Sequence, residues 1–240
     1  DFKELSKLDN ITRSETIVNY FRQKWDWDIL SSEKSKLLTT KNKEGVVFNE
    51  RLFQKFERFI NFEVISHRKD ALFDFEILNK FNDKNWDWKI LSSNESLKIE
   101  KEILLNELFE KPWDWKILSN NPAIAFSNED LLLLRDKDLD WSHFSTKGWI
   151  ANATIVELAD KTWDWHAISN SSQLIFDQNL LRILSKKEIV NWGNVLRSNN
   201  LHCNENTIGI IATSIKDSQE YWSTLSSNQN LSFENEILLD

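Results

Sequence analysis

A carboxylate held between two tryptophans recurs through this chain, and a serine follows it at a fixed distance. Asp87, Asp114 and Asp164 occupy the middle of Trp-Asp-Trp strings, and Ser92, Ser119 and Ser169 come five residues later. Further serines, Ser31, Ser66, Ser145 and Ser226, sit at the same phase of related strings. Repeated carboxylates could serve acid–base or metal chemistry, and repeated hydroxyls could be nucleophiles. The spacing argues otherwise. Successive aspartates would lie about 10 Å apart, one helix-packing distance, which is too far to share a metal. No His or Lys keeps a constant distance from the serines, as activation of a nucleophile requires. Both residues read better as parts of a scaffold: the aspartate as a helix N-cap, the serine as a helix end or polar ladder.

The remaining chemistry-bearing residues are scattered. Of the four histidines, His67, His143, His166 and His202, only His143 and His166 fall near one another in repeat phase, and no carboxylate or thiolate stands in register with them. That is a poor metal set. Cys203 is the only cysteine, so no intramolecular disulfide or cysteine-based zinc site forms, and a reducing, cytosolic setting fits. Lys34, Lys36, Lys41 and Lys43, with His67, Arg68 and Lys69 at the matching turn of the next unit, could gather into a positive patch for nucleic acid or remain a solvated loop. There is no glycine-rich phosphate loop, no CxxC pair and no nucleophile elbow. The expectation is a non-catalytic chain with no cofactor and no metal.

The elements that position these residues follow from the repeat. The strings WDWDILSS at 25–32, WDWKILSSN at 86–94, WDWKILSNN at 113–121 and WDWHAISNS at 163–171 are joined by degenerate copies at 61–68, 139–147, 191–199 and 221–228. Taking the second aromatic as marker gives Trp27, Phe62, Trp88, Trp115, Trp141, Trp165, Trp192 and Trp222. Most intervals are about 24–27 residues; the first is longer by roughly one loop insertion. Between markers, a hydrophobic residue precedes Asn, Asp or Ser and then an aliphatic run. Phe48 with Phe53, Phe73 with Leu78, Phe126 with Leu131 and Phe176 with Leu181 have the spacing of a hydrophobic staple across a helix start. Each unit therefore reads as a helix of roughly ten residues with apolar positions such as Leu52, Phe53, Phe56, Ile103, Leu104 and Leu108, then a turn, then a short helix opened by the aspartate.

A unit of this length cannot bury its apolar face alone, and stacking on neighbours is the solution. The predicted fold is all-α: an α-solenoid of about eight short two-helix repeats over residues 1–240, read as a piece of a longer chain. Trp88, Trp115 and Trp165 are expected to form a buried spine, with the first tryptophan of each string more exposed.

Trp113 to Leu131 carries Trp-Asp-Trp-x-x-Leu-Ser-x-Asn-Pro-x-Ile-x-Phe-Ser, including the Asn121-Pro122 step. This string resembles a repeat found in tandem in giant-virus proteins and in some bacterial multidomain proteins. The resemblance implies a helical array and no known chemistry. A β-propeller, which the Trp-Asp dipeptide invites, needs a period of about 40–45 residues and many glycines; this chain has 4 glycines and 2 prolines.

A net charge of −8 argues against a duplex-binding domain, which shows a basic excess. No apolar run reaches the length of a membrane span. The function that remains is a scaffold for a macromolecular partner, a protein in preference to nucleic acid. Nucleic-acid recognition within a larger effector, for example a bacterial defence protein, is the alternative. The residue just after the second aromatic varies most freely in charge: Asp28, Glu63, Lys89, Lys116, Ser142, His166, Gly193 and Ser223. Partner contacts are expected there, first at Asp28, Glu63, Lys89, Lys116 and His166.

Overall fold

The computed structural model describes residues 1–229, and the chain divides into two compact units, Asp1–Ala125 and Phe126–Asp240. The chain is mostly helical, with eighteen helices and four strands of two to four residues among the described residues.

Local chemistry sets the helix boundaries. Asp26, Asn61, Asp87, Asp114, Asp140, Asp164 and Asn191 each stand in extended or near-extended backbone, and each side chain accepts the N–H three residues on. Those are N-caps, worth about 0.5–2 kcal/mol apiece. The short helices they open run for four to six residues, for example Trp88–Ser92 and Trp115–Leu118. Several intervening helices are shorter than the sequence suggests: Glu50–Phe56, Phe75–Lys80 and Asn128–Leu133 have six or seven residues, whereas Glu205–Ile215 has eleven. Asn49, Asp74, Ser127 and Asp177 cap these longer helices. Both members of all four staple pairs are buried, and the Phe48 and Phe53 rings meet at 5.2 Å.

The serine links one repeat to the next. The backbone N–H of six of these caps donates to the hydroxyl of a serine that lies 19 to 30 residues earlier. The pairs are Asp26 to Ser6, Asn61 to Ser31, Asp87 to Ser66 and Asp114 to Ser92 in the first unit, and Asp164 to Ser145 and Asn191 to Ser169 in the second, all at 2.8–3.0 Å. The Ser66, Ser92 and Ser145 hydroxyls donate in turn to the carbonyl four residues back. One buried hydroxyl thus ends its own helix and anchors the start of the next.

A second ladder runs two residues after the serines. The Asn94 amide donates to the carbonyls of Ser66 and Arg68, and the Asn121 amide to those of Ser92 and Asn94. Arg68 takes the asparagine's place one repeat earlier. Its guanidinium donates to the carbonyls of Ser31 and Ser35 and grips Asp70 through two nitrogens. Arg68 is 1 % exposed, so it belongs neither to a solvated loop nor to the positive patch that was the other reading of this stretch. The longer first interval requires a longer side chain to span it.

That interval is also not an open loop. Thr39–Asn42 and Gly45–Phe48 form an antiparallel hairpin, Thr39 opposite Phe48. The Asn42 side chain accepts the N–H groups of Glu44 and Gly45, and Gly45 sits at φ 133°, a conformation that favours glycine. Val47 bridges to Leu72, Phe73–Asp74 pairs in parallel with Leu97–Lys98, and Phe176 bridges to Leu201. Short extended segments of successive repeats therefore also hydrogen-bond side by side.

The first tryptophan is the more regularly buried one, contrary to expectation. Trp25, Trp86, Trp113 and Trp163 are 5–6 % exposed. Each indole N–H donates to a backbone carbonyl upstream, at Val18, Phe81, Leu108 and Leu158 respectively. Among the second aromatics, Trp88 and Trp115 are buried, whereas Trp27 and Trp165 are only half-buried. A lysine of the following repeat finishes the cover. Lys111 Nζ lies over the Trp88 ring and donates to the Asn82 carbonyl; Lys187 Nζ lies 4.4 Å from the Trp165 ring centre and donates to the Ala159 carbonyl. Both carbonyls belong to the residue six before the covered tryptophan, so the two clamps are equivalent.

Candidate functional site

In the first unit the short helices Trp27–Ser31, Phe62–Ser66, Trp88–Ser92 and Trp115–Leu118 pack in succession. Their first residues are held inward by the core. The second residue of each, Asp28, Glu63, Lys89 and Lys116, points away and is exposed. The four form a row that passes from two carboxylates to two ammonium groups. In the second unit Trp165–Ser169, Trp192–Arg197 and Gln219–Ser226 pack in succession and carry His166, Gly193 and Ser223. His166, Ser223 and also Ser142 are exposed.

Gly193 departs from this pattern, since it is buried beneath neighbours. A Cβ there would stand 3.2 Å from Arg197 Nη1 and 3.9 Å from the Tyr221 ring. Asp28 is partly committed, because its carboxylate accepts the Asn61 side-chain amide at 2.7 Å. Lys89 and Lys116 make no ion pair among the described residues. His166 borders an open groove of about 620 Å³ lined also by Trp165, Lys187 and Ile189, the last 70 % exposed.

The other sequence candidates separate. His143 is half-buried against the Phe144 ring; burial, and then the nearby Lys147, hold its imidazole below the usual histidine range. It does not join His166 in a cluster, and no three His, Cys, Asp or Glu side chains among the described residues gather at metal-binding distance. Cys203 is buried, which pushes its thiol up. The positive patch that was one reading of this stretch is thinned from within. Besides buried Arg68, Lys36 is bound to Asp70 at 2.7 Å, leaving Lys34, Lys41, Lys43 and Lys69 exposed. Burial works to raise the Asp70 carboxyl, but hydrogen bonds from Arg68 and Lys36 outweigh it and hold the group below the usual range. Glu15 is lowered to about 2 by hydrogen bonds from Arg51 and Lys55.

Sequence reasoning missed the lysine clamps over Trp88 and Trp165. The sequence held no general signal for them: Lys111 precedes Trp113 by two residues, but Lys84 and Lys161 at the same phase pair with Glu57, Asp83 and Asp160, and Lys187 has no tryptophan two residues on.

Compared with protein-family models, curated proteins and solved structures, the chain matches none.

Proposed function

We propose that this chain is a non-catalytic helical-repeat scaffold, an α-solenoid of about eight units, that binds a protein partner along the residues following the second aromatic of each repeat. The observation that carries the reading is the contrast within one short helix. Neighbouring positions keep one chemistry and are buried or tied to the next repeat, whereas Asp28, Glu63, Lys89, Lys116, Ser142, His166 and Ser223 vary in charge and are exposed. A scaffold held by internal ladders leaves such positions free to choose a partner. A double charge reversal, Lys89→Glu with Lys116→Glu, touches neither ladder. It should leave the melting temperature within about 2 °C, as surface changes do, and should abolish capture of whichever protein co-purifies with the unaltered chain. Retained capture by a folded variant would refute the row.

Nucleic-acid recognition is the second reading, supported by Lys41 and Lys43, exposed on the hairpin. Gel shifts with single-stranded and duplex DNA and RNA at rising salt separate the two: a steep loss of binding with salt is the signature of phosphate contacts.

A further inference from the structure

In the first unit the charges of successive longer helices pair with one another. Glu15 binds Arg51 and Lys55, Glu50 binds Lys80 and Glu57 binds Lys84, each a carboxylate of one repeat on a cation of the next. The row on the short helices does not pair in this way. Its order is Asp28, Glu63, Lys89, Lys116, so like charge stands beside like at either end. Neighbouring helices pack about 8–10 Å apart, close enough for such repulsion to be felt at physiological salt, where the screening length is about 8 Å. The side chains of Glu63, Lys89 and Lys116 make no hydrogen bond or ion pair among the described residues, and the Asp28 carboxylate meets only the Asn61 amide.

Beside this row runs an apolar one. The next residue of each helix is Ile29, Val64, Ile90 or Ile117, β-branched in every case and only half-buried. In the second unit the same position holds His143, Ala167, Asn194 and Thr224, and the row beside it, Ser142, His166, Gly193 and Ser223, has no carboxylate or ammonium group. The aliphatic strip and the charge order are therefore confined together to the first unit. An apolar strip edged by charged groups is the layout of a protein interface, with its apolar core and polar rim.

We propose that this face of the first unit pairs with the same face of a second copy of the chain, about a two-fold axis that passes between Glu63 and Lys89. The axis reverses the row, so Asp28 faces the partner's Lys116 and Glu63 faces the partner's Lys89. Symmetry repeats both pairings, and no like charges meet. A row ordered minus, minus, plus, plus is matched by its own reverse, so the chain itself supplies the complementary surface. The inference rests on the row being a protein-binding surface and names the protein. Exposed ion pairs add little affinity; the aliphatic strip supplies most of it, and the charges fix direction and register. A face about 30 Å long, spanning four helices at their packing distance, lies at the small end of specific interfaces, so the dimer is reversible.

The test is sedimentation velocity of the whole chain across the micromolar to submillimolar range, at low and at high chloride. The expected result is a monomer–dimer equilibrium that weakens as chloride rises. Lys89→Glu with Lys116→Glu leaves a row of four carboxylates. Asp28→Asn with Glu63→Lys leaves a row with none, and the new asparagine can still bond Asn61. Each variant meets like charge in its own copy and should self-associate about tenfold or more weakly. An equimolar mixture of the two should recover the dimer. Melting temperatures within about 2 °C of the unaltered chain show that both variants fold. A dimer that both variants retain, or a mixture that stays monomeric, overturns the pairing. So does an unaltered chain that is monomeric throughout. If that monomer captures a different protein and Lys89→Glu with Lys116→Glu loses it, the row stands as a partner surface and only the self-pairing fails; if it captures none through the row, both readings fail.

Discussion

Ser92→Ala tests the link between repeats at a single atom. The Ser92 side chain is fully buried, accepts the Asp114 N–H at 3.0 Å and donates to the Trp88 carbonyl at 2.8 Å. Removing the hydroxyl leaves the carbonyl with its helical partner but strands a backbone donor in the interior. A lost internal hydrogen bond costs about 1 kcal/mol net, and an orphaned buried donor raises the total to about 1–3 kcal/mol. The methyl of alanine fits the space, so little cavity cost is added. With a urea slope of about 2–3 kcal/mol/M, a loss near the middle of that range lowers the unfolding midpoint by about 0.7–1 M. Hydrogen exchange should show the Asp114 amide losing protection ahead of its neighbours. Ser93→Ala is the control: Ser93 is exposed and donates only within its own turn, so the change should stay within about 0.5 kcal/mol. If Ser92→Ala behaves like Ser93→Ala and the Asp114 amide stays protected, the inter-repeat relay does not hold the repeats together.

Asp114→Ala removes a cap and should cost about 0.5–2 kcal/mol in denaturant unfolding, with the exposed row still competent to bind. Trp113→Ala should cost about 3–5 kcal/mol, and Trp113→Phe, which keeps most of the ring but drops the N–H bond to Leu108, about 1–2 kcal/mol; a melting temperature unmoved by Trp113→Ala would show that the first tryptophan is not core. Asp70→Asn leaves the buried Arg68 charge less compensated and should cost about 2–3 kcal/mol, below the ~3–5 typical of fully buried pairs because Asp70 keeps some solvent contact. Asp70 and Glu15 are both held below their unfolded values, so their contributions are complete above about pH 4 and fade as pH falls toward the folded values, near 2 for Glu15; acid unfolding of the first unit should therefore shift to higher pH in Asp70→Asn. Lys187→Ala uncovers the Trp165 ring, and acrylamide should then quench fluorescence more strongly than in the unaltered chain.

Much of the fold was legible because its signals are local. An aspartate before a short apolar run is a cap wherever it occurs, and Asp87, Asp114 and Asp164 cap as expected. The phenylalanines before Asn49, Asp74, Ser127 and Asp177 are buried at staple positions. What escaped was set by contacts between repeats. The two tryptophans of a string have the same chemistry, and which of them is buried depends on the turn before them and on the neighbouring repeat. Arg68 reads as a surface cation until the longer first interval places it where Asn94 and Asn121 sit in later repeats. The hairpin rests on the Asn42 turn and Gly45, a weak signal inside a lysine-rich stretch. At the candidate site the row of varied residues was legible as a pattern of charges. The consequence of glycine at 193 was not, because it depends on where the Arg197 guanidinium comes to rest.

The most direct test of the partner-binding row is photo-crosslinking from within it. A photoreactive residue placed singly at 63, 89, 116 or 166 samples the row, and the same residue at Glu102 or Arg182, exposed on the longer helices, samples surface away from it. The account predicts one shared protein adduct from the row positions and none from the controls, with the Lys116 adduct lost when unlabelled chain competes. Equal adducts from controls and row, or a nucleic-acid adduct in place of a protein, would contradict it.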